Sequence, residues 1–206
     1  MGNKTRKNTK KKFIVVEKYV KRILGVDTRL YKIKLNNDYP CRNKLTVKKI
    51  IKPFVKLLKK NKKIVNSLTN KEKSVKKFEK NKSLSTNLIK FINPYEKYTY
   101  CLYEDTLIIA ETKSSENKSK LTKNIKNYSS KHYVMCKKDE TCASGELVIK
   151  DDTFIFDNSS GTFEPTLANL QFLKRALPFL KVKIMTMDMP SHASFFDIKK
   201  IKANKT

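Results

Sequence analysis

Apolar side chains are spaced differently in successive stretches of the chain. Residues 1–12 carry six basic side chains and nothing apolar after Met1, which predicts a solvated tail. Phe13–Leu24 gives a mixed signal. The β-branched run Ile14-Val15-Val16 argues for a strand at its start. Ile14, Val15, Tyr19 and Ile23, with Gly25 as a stop, fit one helical face, and the balance favours a helix. Tyr31–Leu35 alternates apolar and basic residues, as a half-exposed strand does. Thr46–Lys60 is the clearest amphipathic segment. Val47, Ile50, Ile51, Phe54, Val55 and Leu58 fall at helical spacing, Lys48, Lys49, Lys52, Lys56, Lys59 and Lys60 fill the other face, and Thr46 is a candidate N-cap. Pro53 would cost about 3 kcal/mol in a helix interior, so a kink or two short helices are expected there. Residues 62–82 are polar and read as a linker or a loosely held helix, with helical potential at 70–80.

From Leu84 onward the pattern changes. Tyr98–Tyr103 and Thr106–Glu111 read as strands joined by Glu104-Asp105, and Gly145–Lys150 and Thr153–Phe156 as a second pair joined at Asp151-Asp152. The similarity of Glu104–Ile109 to Asp151–Phe156 fits either a duplicated unit or, as the favoured account, one turn chemistry used twice. Ser114–Ser130 is a polar loop, and His132–Cys136 reads as a short strand. Thr166 caps a helix whose Leu167, Leu170, Leu173 and Leu177 share a face, with Pro165 before it and Pro178 at its end. Lys181–Met187 alternates like a final strand. The expected fold is α+β: a mainly antiparallel sheet of about five strands with a packed C-terminal helix, preceded by a basic helical N-terminal region. The expected divisions are a tail at 1–12, a basic, mostly helical region and linker at 13–83, an α+β module at 84–190 and a peripheral tail at 191–206.

Charge sharpens this division. The chain of 206 residues has a net charge of +28, and residues 1–82 hold 28 Lys and Arg against 5 Asp and Glu, an excess of 23. Residues 83–206 hold 19 against 14. An AT-rich coding sequence would enrich Lys, Asn and Ile, but it would act on both halves. The asymmetry points to an anionic partner: nucleic acid, an acidic protein or an anionic membrane surface. Lys4, Arg6, Lys7, Lys10, Lys11, Lys12, Lys48, Lys49, Lys52, Lys56, Lys59, Lys60, Lys62 and Lys63 are the candidate polyanion contacts. Only five of the 47 basic residues are Arg. Lysine makes point-charge contacts rather than bidentate ones, so weak sequence preference is expected.

Cys41, Cys101, Cys136 and Cys142 form no CxxC pair, no 18-residue apolar run is present, and the Lys-rich start without a following apolar core leads to the expectation of no signal peptide. Free thiols in an intracellular, reducing setting (host cytoplasm or virion) are the expectation. The opening Met-Gly-Asn-Lys-Thr-Arg misplaces the hydroxyl residue of a myristoylation signal. His132, Cys136, Cys142 and His192 match no standard zinc spacing. No phosphate loop, dinucleotide fingerprint or nucleophile elbow occurs, so no cofactor, metal or catalytic residue is assigned.

The most distinctive stretch is Lys131-His132, then Cys142-Ala-Ser-Gly-Glu146, then Phe156-Asp-Asn-Ser-Ser-Gly-Thr-Phe-Glu-Pro165. Its structural explanation is a strand-to-helix turn. Asp157 and Asn158 can accept bonds from NH groups two residues on, Gly161 can take positive φ, and Pro165 stiffens the helix entry. A functional use of the same residues is also open. NH groups of Ser159, Ser160, Gly161 and Thr162 could cradle an anion, and His132, Glu146 and Asp157 could supply acid–base groups if they converge. With Gly145 these are the candidate site residues. The stretch resembles a module in uncharacterised proteins of giant DNA viruses, protists and fungi: a Gly-Glu strand followed by Asp-Asn-Ser-Ser-Gly-Thr-aromatic-x-Pro. A looser version is similar to part of plant calmodulin-binding IQ-motif proteins. The resemblance covers residues 97–188 and implies a fold and a viral source, with no reaction. Phe163 stands where that module usually has Tyr.

The functional expectation is therefore a non-enzymatic, nucleic-acid-associated polyanion-binding protein with an α+β interaction module. An enzyme or small-anion-binding domain using residues 132, 146 and 157–162, or a structural virion component, are the alternatives.

Overall fold

The structure, a computed structural model, describes residues 13–23, 26–35, 41–47, 74–92, 97–111, 131–136, 140–160 and 162–186. In chain order these residues form β1 (Phe13–Ile23), β2 (Val26–Lys34), β3 (Leu45–Thr46), β4 (Ser74–Glu79), α1 (Leu84–Ile92), β5 (Tyr98–Tyr103), β6 (Thr106–Glu111), α2 (Lys131–Cys136), β7 (Glu140–Thr141), β8 (Ala143–Lys150), β9 (Thr153–Asp157), α3 (Leu167–Ala176) and β10 (Val182–Met185). Eight strands make one mixed sheet in the order β10-β9-β8-β5-β6-β2-β1-β4, and β3 and β7 form a separate two-stranded ladder. All neighbours in the large sheet are antiparallel except β9 and β10.

Period-two alternation gives the sheet two apolar faces. On β2, Tyr31 and Ile33 enter one core and Leu30 the other; on β6, Leu107 and Ile109 enter the first and Ala110 the second. The larger core is covered by α1, through Leu84, Leu88, Ile89 and Ile92, and by α3, through Leu170, Leu173 and Ala176. The smaller core gathers Leu30, Val47, Ala110, Tyr133, Met135 and Phe163, so α2 and the 45–47 segment cover the opposite face. Tyr31 ties the layers together: its hydroxyl donates to the Ile92 carbonyl at the end of α1. Burial, with the Glu111 charge also contributing, pushes the Tyr31 phenol up to about 12, against the opposing pull of Arg29. Arg29 pairs with Glu111 at 2.8 Å.

An α+β fold with a packed C-terminal helix is present, but several finer expectations are corrected. The sheet has eight strands rather than about five. Phe13–Ile23 is a strand, not a helix. Its β-branched start pairs with β2 from Val15↔Lys34 through Ile23↔Val26, and burial of Ile14 and Val16 on one face outweighs the helical spacing. Ser74–Glu79 is a strand as well, paired with β1, where helical potential was read. His132–Cys136 lies in a helix, and Thr46 lies in β3 rather than at a helix N-cap. Leu167 is 48% exposed and does not share the buried face of α3. The rest of the amphipathic segment, residues 48–60, lies outside the described residues, as do the tails at 1–12 and 191–206. The expected boundary at 83/84 runs through one sheet, because β2 pairs with β6 from Leu30↔Ala110 to Lys34↔Thr106. The free-thiol expectation is also overturned: Cys41 is bonded to Cys142, and Cys101 is disulfide-bonded too. No helix among the described residues is long and apolar enough to cross a membrane.

Candidate functional site

The described motif residues lie along the β8–β9 pair and the turn after β9, with His132 of α2 reaching the Gly145 carbonyl. Tight pairing of β8 with β9, from Leu147↔Phe156 to Lys150↔Thr153, carries Glu146 alongside Asp157. The Asp157 carboxylate is then held by two backbone donors: Glu146 NH donates to Oδ1 at 2.7 Å and Ser159 NH donates to the same atom at 2.8 Å. The second of these is the Asx turn that Asp157 favours. The Asp157 carbonyl accepts a 2.7 Å bond from the Tyr100 hydroxyl, whose ring meets Phe156 edge-on at 4.8 Å.

Gly145 is required here by space. A Cβ on it would stand 2.1 Å from the Asp157 carbonyl oxygen and 3.0 Å from Oδ1. The Gly145 carbonyl in turn lies 3.0 Å from His132 Nε2 on α2. His132 is thus linked to Asp157 through the Gly145 carbonyl and the Glu146 backbone NH, not through the side chain of Glu146. Glu146 pairs with Lys97, which precedes β5.

Asp157 is 2% exposed. Burial is the largest influence on its carboxyl and raises it to about 6, with the Glu146 and Ser159 NH groups pulling the other way and the Glu146 charge pushing further up. The nearby Ser159 hydroxyl adds a smaller downward pull. Oδ2 of Asp157 is buried without a hydrogen-bond partner, and so are the hydroxyls of Ser144 and Ser160. An unpaired carboxylate oxygen in such surroundings favours the protonated form.

The connection to α3 is also built from side chains. Asn158 Nδ2 donates to the Pro165 carbonyl at 3.2 Å, so Asn158 braces the far end of the turn. Glu164 takes φ 49° and its NH donates to the Ser160 carbonyl at 3.0 Å. Thr162 and Phe163 are buried, and Phe163 serves as a core residue of the smaller cluster. Thr166 is the N-cap, and its NH donates to Asn169 Oδ1 at 3.0 Å. Pro165 stands immediately before it, as expected. Asn169 Nδ2 donates onward to the Asn43 carbonyl at 3.1 Å and the Cys142 carbonyl at 2.9 Å.

Tyr100 and Lys97 belong to this region and were not singled out from the sequence. The signal for Tyr100 and Lys97 was the pairing of β5 with β8, Tyr100↔Gly145, which sequence alone does not register. Of the sequence-selected site residues, Gly161 and all fourteen candidate polyanion contacts from Lys4 to Lys63 lie outside the described residues. Cys142 is consumed by its disulfide and His132 Nε2 by a carbonyl, so neither is set up as a zinc ligand. Among the described residues no group of three or more His, Cys, Asp or Glu side chains is placed to hold a metal ion.

Compared with protein-family models, with curated proteins and with solved structures, the chain matches none.

Proposed function

We propose that this chain is a non-enzymatic polyanion-binding protein, nucleic-acid-associated and of viral source, whose α+β module is the interaction domain. The observation that carries the reading is the charge asymmetry, an excess of 23 within residues 1–82. The described part of that segment is consistent with it: Lys34, Lys76 and Lys77 are exposed at the β2-β1-β4 end of the sheet, and Lys18 and Lys32 are half-buried beside them. The disulfides favour a virion-associated location over the host cytoplasm, where thiols are kept reduced.

The test uses the full chain, because β1, β2 and β4 share a sheet with the module and a fragment starting at 84 would strip them away. Binding of labelled duplex and single-stranded DNA is measured from about 50 to 300 mM salt. Replacing Lys48, Lys49, Lys52 and Lys56 by Gln is expected to flatten the log–log salt slope on duplex DNA by up to roughly 3.6, at about 0.9 per phosphate contact. An unchanged slope would sink the assignment of those lysines, and no binding at physiological salt would sink the reading.

A second reading, an acid–base site, is favoured by one observation: the buried Asp157 carboxyl, bonded to the Glu146 backbone NH, is raised to about 6. Against it, Asp157 is 2% exposed and its bonded oxygen is fully engaged by backbone donors, which is how a structural carboxylate is held. The structural role is the better account of the cluster.

A further inference from the structure

A cleft of about 370 Å³ lies between the 42–43 segment and the outward side of α3. That volume falls within the range of roughly 300–1,000 Å³ usual for small-ligand sites. One wall carries Arg42 and Asn43, and the other carries Gln171, Phe172 and Arg175, which recur at helical spacing on α3. Among the described residues that line the cleft, none is acidic.

Three features separate this cleft from an ordinary solvated surface. It collects two of the five arginines in a chain whose other 42 basic residues are lysine. The guanidinium is the side chain that grips a phosphate with paired donors, whereas lysine offers a point charge. Second, the backbone around Arg42 is anchored on both sides. Cys41 is bonded to Cys142, and the Asn43 carbonyl accepts from Asn169 Nδ2 at 3.1 Å. Anchoring of this kind lowers the ordering cost of binding. Third, Phe172 is only partly buried against the main core, so part of its ring is open to the cleft between the two guanidinium-bearing walls. An aromatic face beside phosphate-binding cations is how bases and phosphates are held together.

We propose that this cleft binds a nucleotide, with the phosphate between Arg42 and Arg175 and the base against Phe172. The ligand is either a free nucleotide or one unit of a single strand, since both present the same chemistry. None of the lysines of residues 48–63 is among the residues assigned to this site, so its failure and theirs are tested by different substitutions.

The test is titration of the full-length, oxidised protein with AMP, UMP and a 5′-phosphorylated penta-thymidylate at about 150 mM salt. Binding of at least one probe is expected, weakened roughly tenfold by Arg42→Gln and again by Arg175→Gln, which remove charge-assisted bonds from exposed positions. Phe172→Leu is expected to weaken the same probe while leaving the thermal midpoint within a few degrees. The Lys48, Lys49, Lys52 and Lys56 to Gln protein is expected to bind the mononucleotides as the parent does. Saturable mononucleotide binding identifies a free nucleotide as sufficient, and binding of the pentamer alone identifies a strand. Absence of binding by all three probes overturns the proposal. So does binding that the two arginine substitutions leave unchanged.

Discussion

At the scale of single residues, the region around Asp157 is governed by close approach and by one buried carboxyl. Gly145 leaves space that the Asp157 carbonyl fills, and a methyl group there would sit 2.1 Å from that oxygen. Backbone cannot swing away as the end of a flexible side chain can, so the β8–β9 ladder would have to part. Gly145→Ala is expected to destabilise the fold by more than the usual 1–3 kcal/mol of an overpacked core site, read as a lower urea midpoint at unchanged slope. A midpoint within experimental error of the parent would mean that the two strands separate freely here. Asp157 gives a pH dependence whose sign follows from its shift. Its carboxyl rises from 3.8 to about 6 on folding, so the folded state holds the proton more tightly. The stability contributed by that proton is fully present below pH 3.8 and is lost as pH rises through about 6. A difference of about two units corresponds to a change on the order of 3 kcal/mol. Asp157→Asn keeps an Oδ1 acceptor for the Glu146 and Ser159 NH groups and removes the titration. The variant is expected to lose this fall in stability between pH 4 and 7, and to match or exceed the parent at pH 8, by urea unfolding at each pH. An undiminished fall in the variant would assign the dependence to other groups.

At the scale of elements, the hairpins were the most legible part of the chain. Turn chemistry and period-two alternation act over a few residues, so Glu104-Asp105 and Asp151-Asp152 marked their turns, and the strands around them fell where the pattern put them. The two turns are nonetheless different. Both Asp151 and Asp152 take positive φ, 48° and 57°, whereas in the first turn Glu104 does so at 51° and Asp105 does not. Asp tolerates that region better than Glu. Glu104→Asn is expected to stabilise by a few tenths of a kcal/mol to about 1, and Glu104→Val to destabilise by about 1–2, because a β-branched residue resists positive φ. The order Asn, Glu, Val in thermal midpoint checks this; any other order would show that the turn relaxes out of the left-handed region. The N-terminal strands were less legible for the opposite reason. Phe13–Ile23 satisfies a helical spacing and a strand run together, and its pairing with β2, next along the chain, and with the distant β4 decides between them. Ser74–Glu79 shows neither alternation nor much burial, with four of its six residues exposed, and is a strand because β1 offers it a ladder. In the candidate site the Asp157 turn was legible, since the Asp157–Ser159 bond is local, whereas the His132 link runs to the Gly145 carbonyl and the Glu146 side chain turns to Lys97. Its partners Tyr100 and Lys97 arrive through the β5–β8 pairing, which leaves no local trace.

At the scale of the whole molecule, the chain joins a strongly basic segment to a nearly balanced one within one sheet. The β2–β6 ladder is the seam, so repulsion within the basic part acts on the same cooperative unit that holds the motif. The segment at 41–47 crosses from the larger core, where Cys41 packs, to the smaller one, where Leu45 and Val47 pack. Little regular structure fixes it: a two-residue ladder of β3 with β7, the Asn169–Asn43 bond and the Lys44–Glu140 pair at 3.3 Å, whose side chains are both nearly half exposed. An exposed pair of this kind contributes at most about 1 kcal/mol. The Cys41–Cys142 bond is therefore the principal constraint on the segment, and it closes a sequence separation of 101 residues. Loop-closure entropy for about 100 residues has an upper value of about 4.7 kcal/mol, and measured values are commonly 2–4. Reductant would open the disulfide at Cys101 as well, so the clean perturbation is the pair Cys41→Ser with Cys142→Ser. That protein is expected to unfold with a free energy lower by about 2–4 kcal/mol and to expose Arg42 and its neighbours to proteolysis before the sheet is cut. If its urea midpoint matches the parent and cleavage still begins elsewhere, the segment is held by its packing into the two cores, and the covalent bond only records a contact that those cores already fix.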